Sequence, residues 1–390
     1  MRGRSVRDVC IVGMAETAVG RLEGSTSIGL QAEASRLALA DAGFAAAQVD
    51  AVYNLDPYTQ AMSMFAQSLL EYMGLTPALA ATIDAGGTVT PMHMILNAIA
   101  AIGQGYAEVA LCTFGENALT GRPRGVHGLP QGPSLGQEEF EEPFGCIGMV
   151  IPYALAAQRH MHHHGTTKEQ LGAVAVSARR HAALNPRAQM RKPLTMADYL
   201  AARPIADPFG LLDCSVMSDG AGALVLTTVE RARDLATTPV RVLGFGGKAT
   251  HKNVNQMPDL DALGMRPAGE MALGRAGIAI GDADFCCIHD AFTISTILGV
   301  EALGLCAEGE GGAYAAAGRL DLGGPCPVNP HGGLLSHAHI GGMNHLCEAV
   351  RQLRHEVEPE RQVPDARVGV VSGNGGVFSL CGVMVLGRGL

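Results

Sequence analysis

The residues best suited to chemistry lie in one stretch, Val328-Asn329-Pro330-His331-Gly332-Gly333-Leu334-Leu335-Ser336-His337-Ala338-His339-Ile340-Gly341-Gly342-Met343-Asn344-His345, which places four histidines and four glycines within eighteen residues. Glycine lets backbone come close to a ligand. The stretch runs into Leu346-Cys347-Glu348-Ala349-Val350, which reads as helix. A helix start offers free N–H groups and a positive dipole end, and a histidine placed there can move protons near neutral pH. A glycine-rich connector would look the same taken alone. Within the stretch His339 is the candidate that opens the helix. His331 and His337 flank it, either as substrate contacts or as residues that satisfy loop carbonyls.

Other residues compete for a role. His289 follows the apolar run Phe285-Cys286-Cys287-Ile288, and active-site residues of α/β sheets gather at the carboxyl ends of strands. Asp84, in Thr82-Ile83-Asp84-Ala85-Gly86-Gly87-Thr88, is suited to capping a helix or to orienting a histidine as a carboxylate partner. His160-Met161-His162-His163-His164 puts His160 and His164 on one helical face. No neighbouring carboxylate or cysteine completes a ligand set, so a solvated helix end is expected there and no metal. Asp219, in Ser218-Asp219-Gly220, reads as a turn or structural residue and not a catalyst. The ten cysteines include no C-x-x-C pair, which argues against a zinc site or a disulfide framework and for a reducing cytoplasm.

These residues need elements to position them. Val9–Met14 reads as a buried strand, 27–42 as a helix ended by Gly43, and Val49–Asn54 as a second strand, a crossover unit in a largely parallel sheet. The pattern returns at a constant offset of 234: Ala38-Leu39-Ala40-Asp41-Ala42-Gly43-Phe44 answers Ala272-Leu273-Gly274-Arg275-Ala276-Gly277-Ile278, and the strand at 49–54 answers 283–288. Further on, Glu108–Cys112 answers Arg367–Val371, and Asp84-Ala85-Gly86-Gly87 answers His339-Ile340-Gly341-Gly342. A duplicated α/β half explains this ordered set. Sites form where the helix starts of such halves converge. The expected division is an N-terminal half at 1–118 and 209–235, an inserted loop domain at 119–208, and a C-terminal half at 236–390. The insertion holds a Gly/Pro-rich stretch at 128–133 and helices near 149–165 and 168–183, and would cover the site. A net charge of -9 argues against nucleic acid as main partner. No apolar run reaches the roughly 18 residues of a membrane span.

With these residues in view, the chain resembles the thiolase superfamily, and closely the sterol-carrier-protein-type thiolases. The likeness rests on Ser215-Val216-Met217-Ser218-Asp219-Gly220-Ala221, His289-Asp290-Ala291-Phe292-Thr293, Asn329-Pro330-His331-Gly332-Gly333 through Ala338-His339, and Ser372-Gly373-Asn374-Gly375-Gly376. It implies a five-layer α-β-α-β-α sandwich of two similar halves, dimers or tetramers, and carbon–carbon bond chemistry beside a coenzyme A thioester. It places His339 and His289 at family catalytic positions and makes Arg191, Lys192, His331 and Gly376 candidate contacts for coenzyme A, which enters as part of the substrate.

The departures matter as much. The family's nucleophilic cysteine is replaced by Asp84, and its second cysteine, after His-Asp, by Ala291. A carboxylate cannot form an acyl-thioester enzyme. What remains suits a reaction through a thioester enolate, and a retro-aldol cleavage of a β-hydroxyacyl-CoA is one. The thiolase-like steroid side-chain aldolases do this chemistry without the cysteine and with a small OB-fold partner bearing a zinc ribbon. In their characterised members tyrosines act where His289 and His339 stand here. The expectation is therefore a lyase using His339, His289 and Asp84, as a homodimer or larger, with such a partner. An acyltransferase with a displaced nucleophile, or a non-catalytic acyl-CoA-binding subunit, remains open at this stage.

Overall fold

The computed structural model describes residues 7–121, 136–260 and 263–389; the Gly/Pro-rich stretch at 128–133 lies outside them. Nine strands form one sheet: β1 Val9–Glu16, β2 Ala51–Asn54, β3 Leu79–Thr82, β4 Val109–Asn117, β5 Asp219–Thr228, β6 Val240–Ala249, β7 Phe285–Cys287, β8 Val368–Gly375 and β9 Leu380–Arg388. Their order is β3-β2-β4-β5-β1-β6-β9-β8-β7. Read outward from the β1–β6 seam, the two arms match. β1-β5-β4-β2-β3 answers β6-β9-β8-β7, and a parallel bridge from Cys286 to Val328 stands where β3 would. The seam itself is only two residue pairs long, Cys10–Arg241 and Ile11–Val240.

The sheet is mixed and not largely parallel as expected. β2 is parallel to β3 and β4, and β7 to β8, but β5 and β9 run antiparallel to both their neighbours. The reason is local for β9: it returns from β8 through the short turn between Gly375 and Leu380, and a hairpin cannot join parallel strands.

The duplication is exact where local chemistry fixes it. Helix α1, Ser27–Ala42, ends at Gly43 in the left-handed region, and helix α5, Met265–Ala276, ends at Gly277 likewise, 234 residues on. A short 3₁₀ turn follows each, Ala46–Gln48 and Ile280–Asp282. Asp50 accepts the N–H groups of Glu108 and Val109 (2.9 and 3.1 Å), and Asp284 accepts those of Arg367 and Val368 (2.7 and 2.8 Å). The same carboxylate thus pins the same strand start in each half.

Helices α2, Thr90–Gly103, and α7, Met343–Arg354, pack against strands of both arms, between them. Helix α1 covers the outer face of the first arm and α5 that of the second, which gives five layers. The insertion supplies helices α3, Val150–His164, and α4, Lys168–Leu184, which join the outer core of the second arm with helix α6, Thr293–Ala302.

Every residue of α7 is buried, including four that carry charge or can do so without solvent. Charges taken from water must be paired. Arg351 meets Glu16 at 2.9 Å, Glu348 meets Arg361 at 2.5 Å, Arg354 meets Asp41 at 2.7 Å, and Glu358 closes the chain on Arg361 at 2.6 Å. Arg351 holds the Glu16 carboxyl down to about 2 against the upward push of burial. The other Glu16 oxygen stands 3.3 Å from His337 Nε2, so this network reaches the loop that carries the candidate site.

Candidate active site

Four segments meet at the carboxyl ends of β7 and β8: the Asp84–Val89 turn before α2, the His289–Ala291 segment, the 329–342 loop and the end of β8. Their meeting point is Thr88. Its Oγ1 lies 2.8 Å from His289 Nδ1 and accepts the Asn374 N–H at 2.9 Å. The approach needs glycine. A Cβ on Gly342 would stand 2.7 Å from Thr88 Cβ, and one on Gly373 would stand 2.6 Å from Thr88 O.

His289 is held from both ends. Its N–H donates to Ser372 Oγ at 3.1 Å, and its ring is fixed by Thr88. The tautomer follows from Thr88. That oxygen already accepts from Asn374, and its proton has a nearer acceptor in His289 Nδ1 than in Asn374 O at 3.3 Å. With Thr88 donating to Nδ1, the hydrogen sits on Nε2, a buried donor with no acceptor among the described residues. Burial first, then the rings of His339 and His345, push its pKa well below the ordinary value, so it is neutral at physiological pH.

His339 is half-buried. Its N–H donates to Ser218 Oγ and its Nδ1 lies beside Ser215 Oγ, each at 3.1 Å. Burial pushes its pKa down to about 4, with His345 adding to the fall and Asp290 opposing it. The helix it was expected to open begins at Met343 instead. Gly341 and Gly342, both with positive φ, spend the intervening residues on a turn that brings the backbone against Phe114 and Thr88.

Asp290 builds the loop. It is fully buried, and its carboxylate accepts the N–H groups of Leu334 (2.7 Å) and Leu335 (3.4 Å), capping the π-helical turn Gly333–His337. A Cβ on Gly333 would fall 1.9 Å from Asp290 Oδ2. Asn329 Oδ1 accepts from Ile288 N and its Nδ2 donates to Ile288 O, at 2.8 and 2.9 Å, locking the loop's start to the strand that carries His289.

Other expected residues fall elsewhere. Asp84 is exposed, and its Oδ1 accepts from Gly86 N at 2.8 Å, so it closes its own turn and does not pair with His339. The helical backbone starts three residues later, at Gly87, which hands the inward position to Thr88. His331 is buried against His345, with Nε2 3.1 Å from His345 Nδ1, and is not presented to an anionic ligand. His345 Nε2 lies 3.4 Å from Asp290 Oδ1, without hydrogen-bond alignment. Gly376 is at the surface, with its carbonyl taken by Tyr153 Oη at 3.0 Å. Arg191 and Lys192 are exposed. They directly follow Gln189 and Met190, whose N–H groups donate to His337 O and Ser336 O at 3.0 Å each, so this basic pair is tethered to the site loop.

His160 is buried, not part of a solvated helix end: its Nε2 meets Glu301 at 3.1 Å and its Nδ1 meets Thr166 at 2.8 Å. Among the described residues no group of histidine, cysteine, aspartate and glutamate is arranged to hold a metal ion. All ten cysteines are free. Burial pushes the Cys214 thiol, one residue from Ser215, up to about 12, and it bonds to Gly210 O. Sequence reasoning quoted Thr88, Ser215 and Asn374 inside motifs without giving them roles. The glycines beside Thr88 and Asn374 were the available signal, since they marked where backbone had to approach closely; Ser215, with no glycine within four residues, offered none.

Residues 246–388 match the family model described as thiolase C-terminal domain-like. An acetyl-CoA acetyltransferase of Methanothermobacter thermautotrophicus is 32% identical over 98% of this chain and 100% of its own length. A 17-hydroxy-3-oxo-4-pregnene-20-carboxyl-CoA lyase of Mycobacterium tuberculosis is 33% identical over 88% of this chain and 91% of its own. The solved Ltp2-ChsH2(DUF35) aldolase superposes with a TM-score of 0.86 at 30% identity, covering 98% of both chains. With the matched halves, the His289–Thr88 and His339–Ser215 pairs and these relatives together, the chain belongs to the thiolase superfamily, in the branch of sterol-carrier-protein-type thiolases and thiolase-like steroid side-chain aldolases.

Proposed function

We propose that this protein cleaves the carbon–carbon bond of a β-hydroxyacyl-CoA, a steroid side chain or similar, by a retro-aldol route without a cysteine nucleophile. The observation that carries this reading is the pair of imidazoles held where the four segments meet, with hydroxyls and no thiol as their hydrogen-bond partners. In this reading His339 holds a proton at Nδ1 against Ser215, leaving Nε2 as the base. Nε2 takes the β-hydroxyl proton, and the β-oxygen becomes a carbonyl. The Cα–Cβ bond breaks, and its electrons pass into the thioester enolate, whose oxygen His289 Nε2–H holds. The same proton then returns from His339 to Cα, giving the shortened acyl-CoA. Each donor aimed at such an oxygen contributes roughly 10²–10³ in rate.

Arg191 and Lys192 are proposed to meet the phosphates of coenzyme A, since cations suit phosphate oxygens and their loop is tied to the site. The insertion at 119–208 is proposed to cover the acyl group. A homodimer is proposed through the edge strand β3, whose outer backbone has no neighbour in the sheet among the described residues. An OB-fold partner with a zinc ribbon, and a cytoplasmic setting, complete the proposal. The structural relative is by its name a two-component aldolase.

The test is to supply β-hydroxyacyl-CoA substrates of steroid and aryl type, with and without the partner, and look for ketone or aldehyde plus the shortened acyl-CoA. Acyl transfer is the rival, favoured by the full-length likeness to an acetyltransferase. It requires an acyl adduct on one of the ten cysteines, which mass spectrometry of the substrate-treated protein detects.

A further inference from the structure

Gly373, Asn374, Gly375 and Gly376 follow one another at the end of β8, and Asn374 alone carries a side chain. That residue is 2% exposed, and among the described residues neither its Oδ1 nor its Nδ2 has a hydrogen-bond partner. Leaving a buried carboxamide unmet is costly, and such groups call for an explanation.

Its surroundings give one. The parallel register ends with Val371 beside Cys287, two residues before His289 and three before Asn374. Ser372, two residues before Asn374 and so on the same face of the strand, takes the His289 N–H on its hydroxyl at 3.1 Å. The opposite face is closed: a Cβ on Gly373 or Gly375 would stand 2.6 Å from Thr88 O or 2.7 Å from Ala85 O. The Asn374 N–H is already spent on Thr88 Oγ1, the atom that fixes the His289 ring. One hydroxyl therefore holds both residues and leaves each with a buried polar group that nothing among the described residues satisfies: His289 Nε2 and the Asn374 carboxamide.

We propose that Asn374 contacts the substrate, its Nδ2 donating a second hydrogen bond beside His289 Nε2–H to the carbonyl oxygen of a bound acyl thioester. A neutral amide adds a donor there without the charge that would alter the histidines. The inference rests on reading the site as one for acyl-CoA thioesters, and does not need the retro-aldol step.

Difference infrared spectroscopy of butyryl-CoA labelled with ¹³C at the thioester carbon, bound to the whole protein, reads the contact without turnover. Hydrogen bonds to that oxygen lower the carbonyl stretch. The wild-type band is expected below that of free butyryl-CoA, with Asn374→Ala and Asn374→Asp moving it part of the way back. Asn374→Ala is also expected to lower kcat for cleavage by about 10² with little change in KM, and to leave the urea midpoint unchanged or higher, because the amide has no partner among the described residues. Asn374→Ser, read by the same band, carries the test if the alanine variant does not fold. A wild-type band at the free position, or a band that Asn374→Ala leaves in place, would overturn the proposal, and a lowered midpoint with an unmoved band would assign Asn374 a structural role instead. Failure of the retro-aldol reading shows separately, as absent cleavage with the band shifts intact.

Discussion

His339 and His289 differ from ordinary histidines in that their surroundings keep them uncharged. An imidazole can act as base only while neutral. The acid limb of kcat/KM for cleavage is therefore expected near pH 4 in place of the usual 6.5, and a pH profile on the free enzyme measures it. The same shift bears on stability. Below about 6.5 the unfolded chain binds a proton that folded His339 refuses until about 4, so its contribution is full above 6.5 and falls as pH drops through that window. Replacing His339 by Ala is expected to lower kcat by about 10²–10⁴, the range for losing a positioned acid–base group. Asp84→Ala should keep activity within a few-fold, because among the described residues that carboxylate bonds only its own turn at Gly86. Steady-state kinetics on the two variants compares them. The histidines were legible because each follows a strand or a glycine run. The surroundings of Asp84 were not legible, because Asp-Ala-Gly-Gly has the look of a helix cap and nothing local reveals that three more residues pass before the backbone turns helical.

At the scale of elements, the site depends on how closely separate loops approach. Gly342 abuts Thr88, and a methyl there meets both a side chain and a carbonyl at 2.7 Å in a conformation with φ +86. Gly342→Ala is expected to cost about 1–3 kcal/mol by overpacking and strain and to lower kcat by displacing Thr88 from His289. Gly274→Ala, within exposed α5 turns where a Cβ meets nothing within 4 Å, should be neutral or stabilising by up to about 1 kcal/mol. Urea melts of the pair, with kinetics, make the comparison. The helices of the insertion, the glycine caps at Gly43 and Gly277 and the strands of both arms were legible from periodicity and punctuation. The start of α7 was not, since the two glycines before Met343 can either extend a helix start or form the turn they do form.

At the scale of the whole molecule, the offset of 234 foretold two equivalent arms, because Asp50 and Asp284 pin the same strand in each. What the offset could not show is which distant side chains meet. His160 and Glu301 pair across 141 residues, and Glu16 reaches Arg351 across 335. Glu16 joins α7 to the His337 loop, so Glu16→Gln should cost about 3–5 kcal/mol, the usual effect of breaking a buried pair. Its carboxyl, held near 2 and not 4.5, adds stability that is present above 4.5 and lost as pH falls towards 2. Equilibrium unfolding of wild type and variant at pH 7 and pH 3 checks both statements: the gap between them should narrow at the lower pH. The central claim, that a thiolase fold here breaks carbon–carbon bonds through histidines and not a thiolate, is tested most directly by product analysis. Wild type with partner protein and a β-hydroxyacyl-CoA should yield a ketone or aldehyde and the shortened acyl-CoA in equal amounts, with no acyl group on any cysteine. An acylated cysteine, or no cleavage across steroid and aryl substrates, would contradict it.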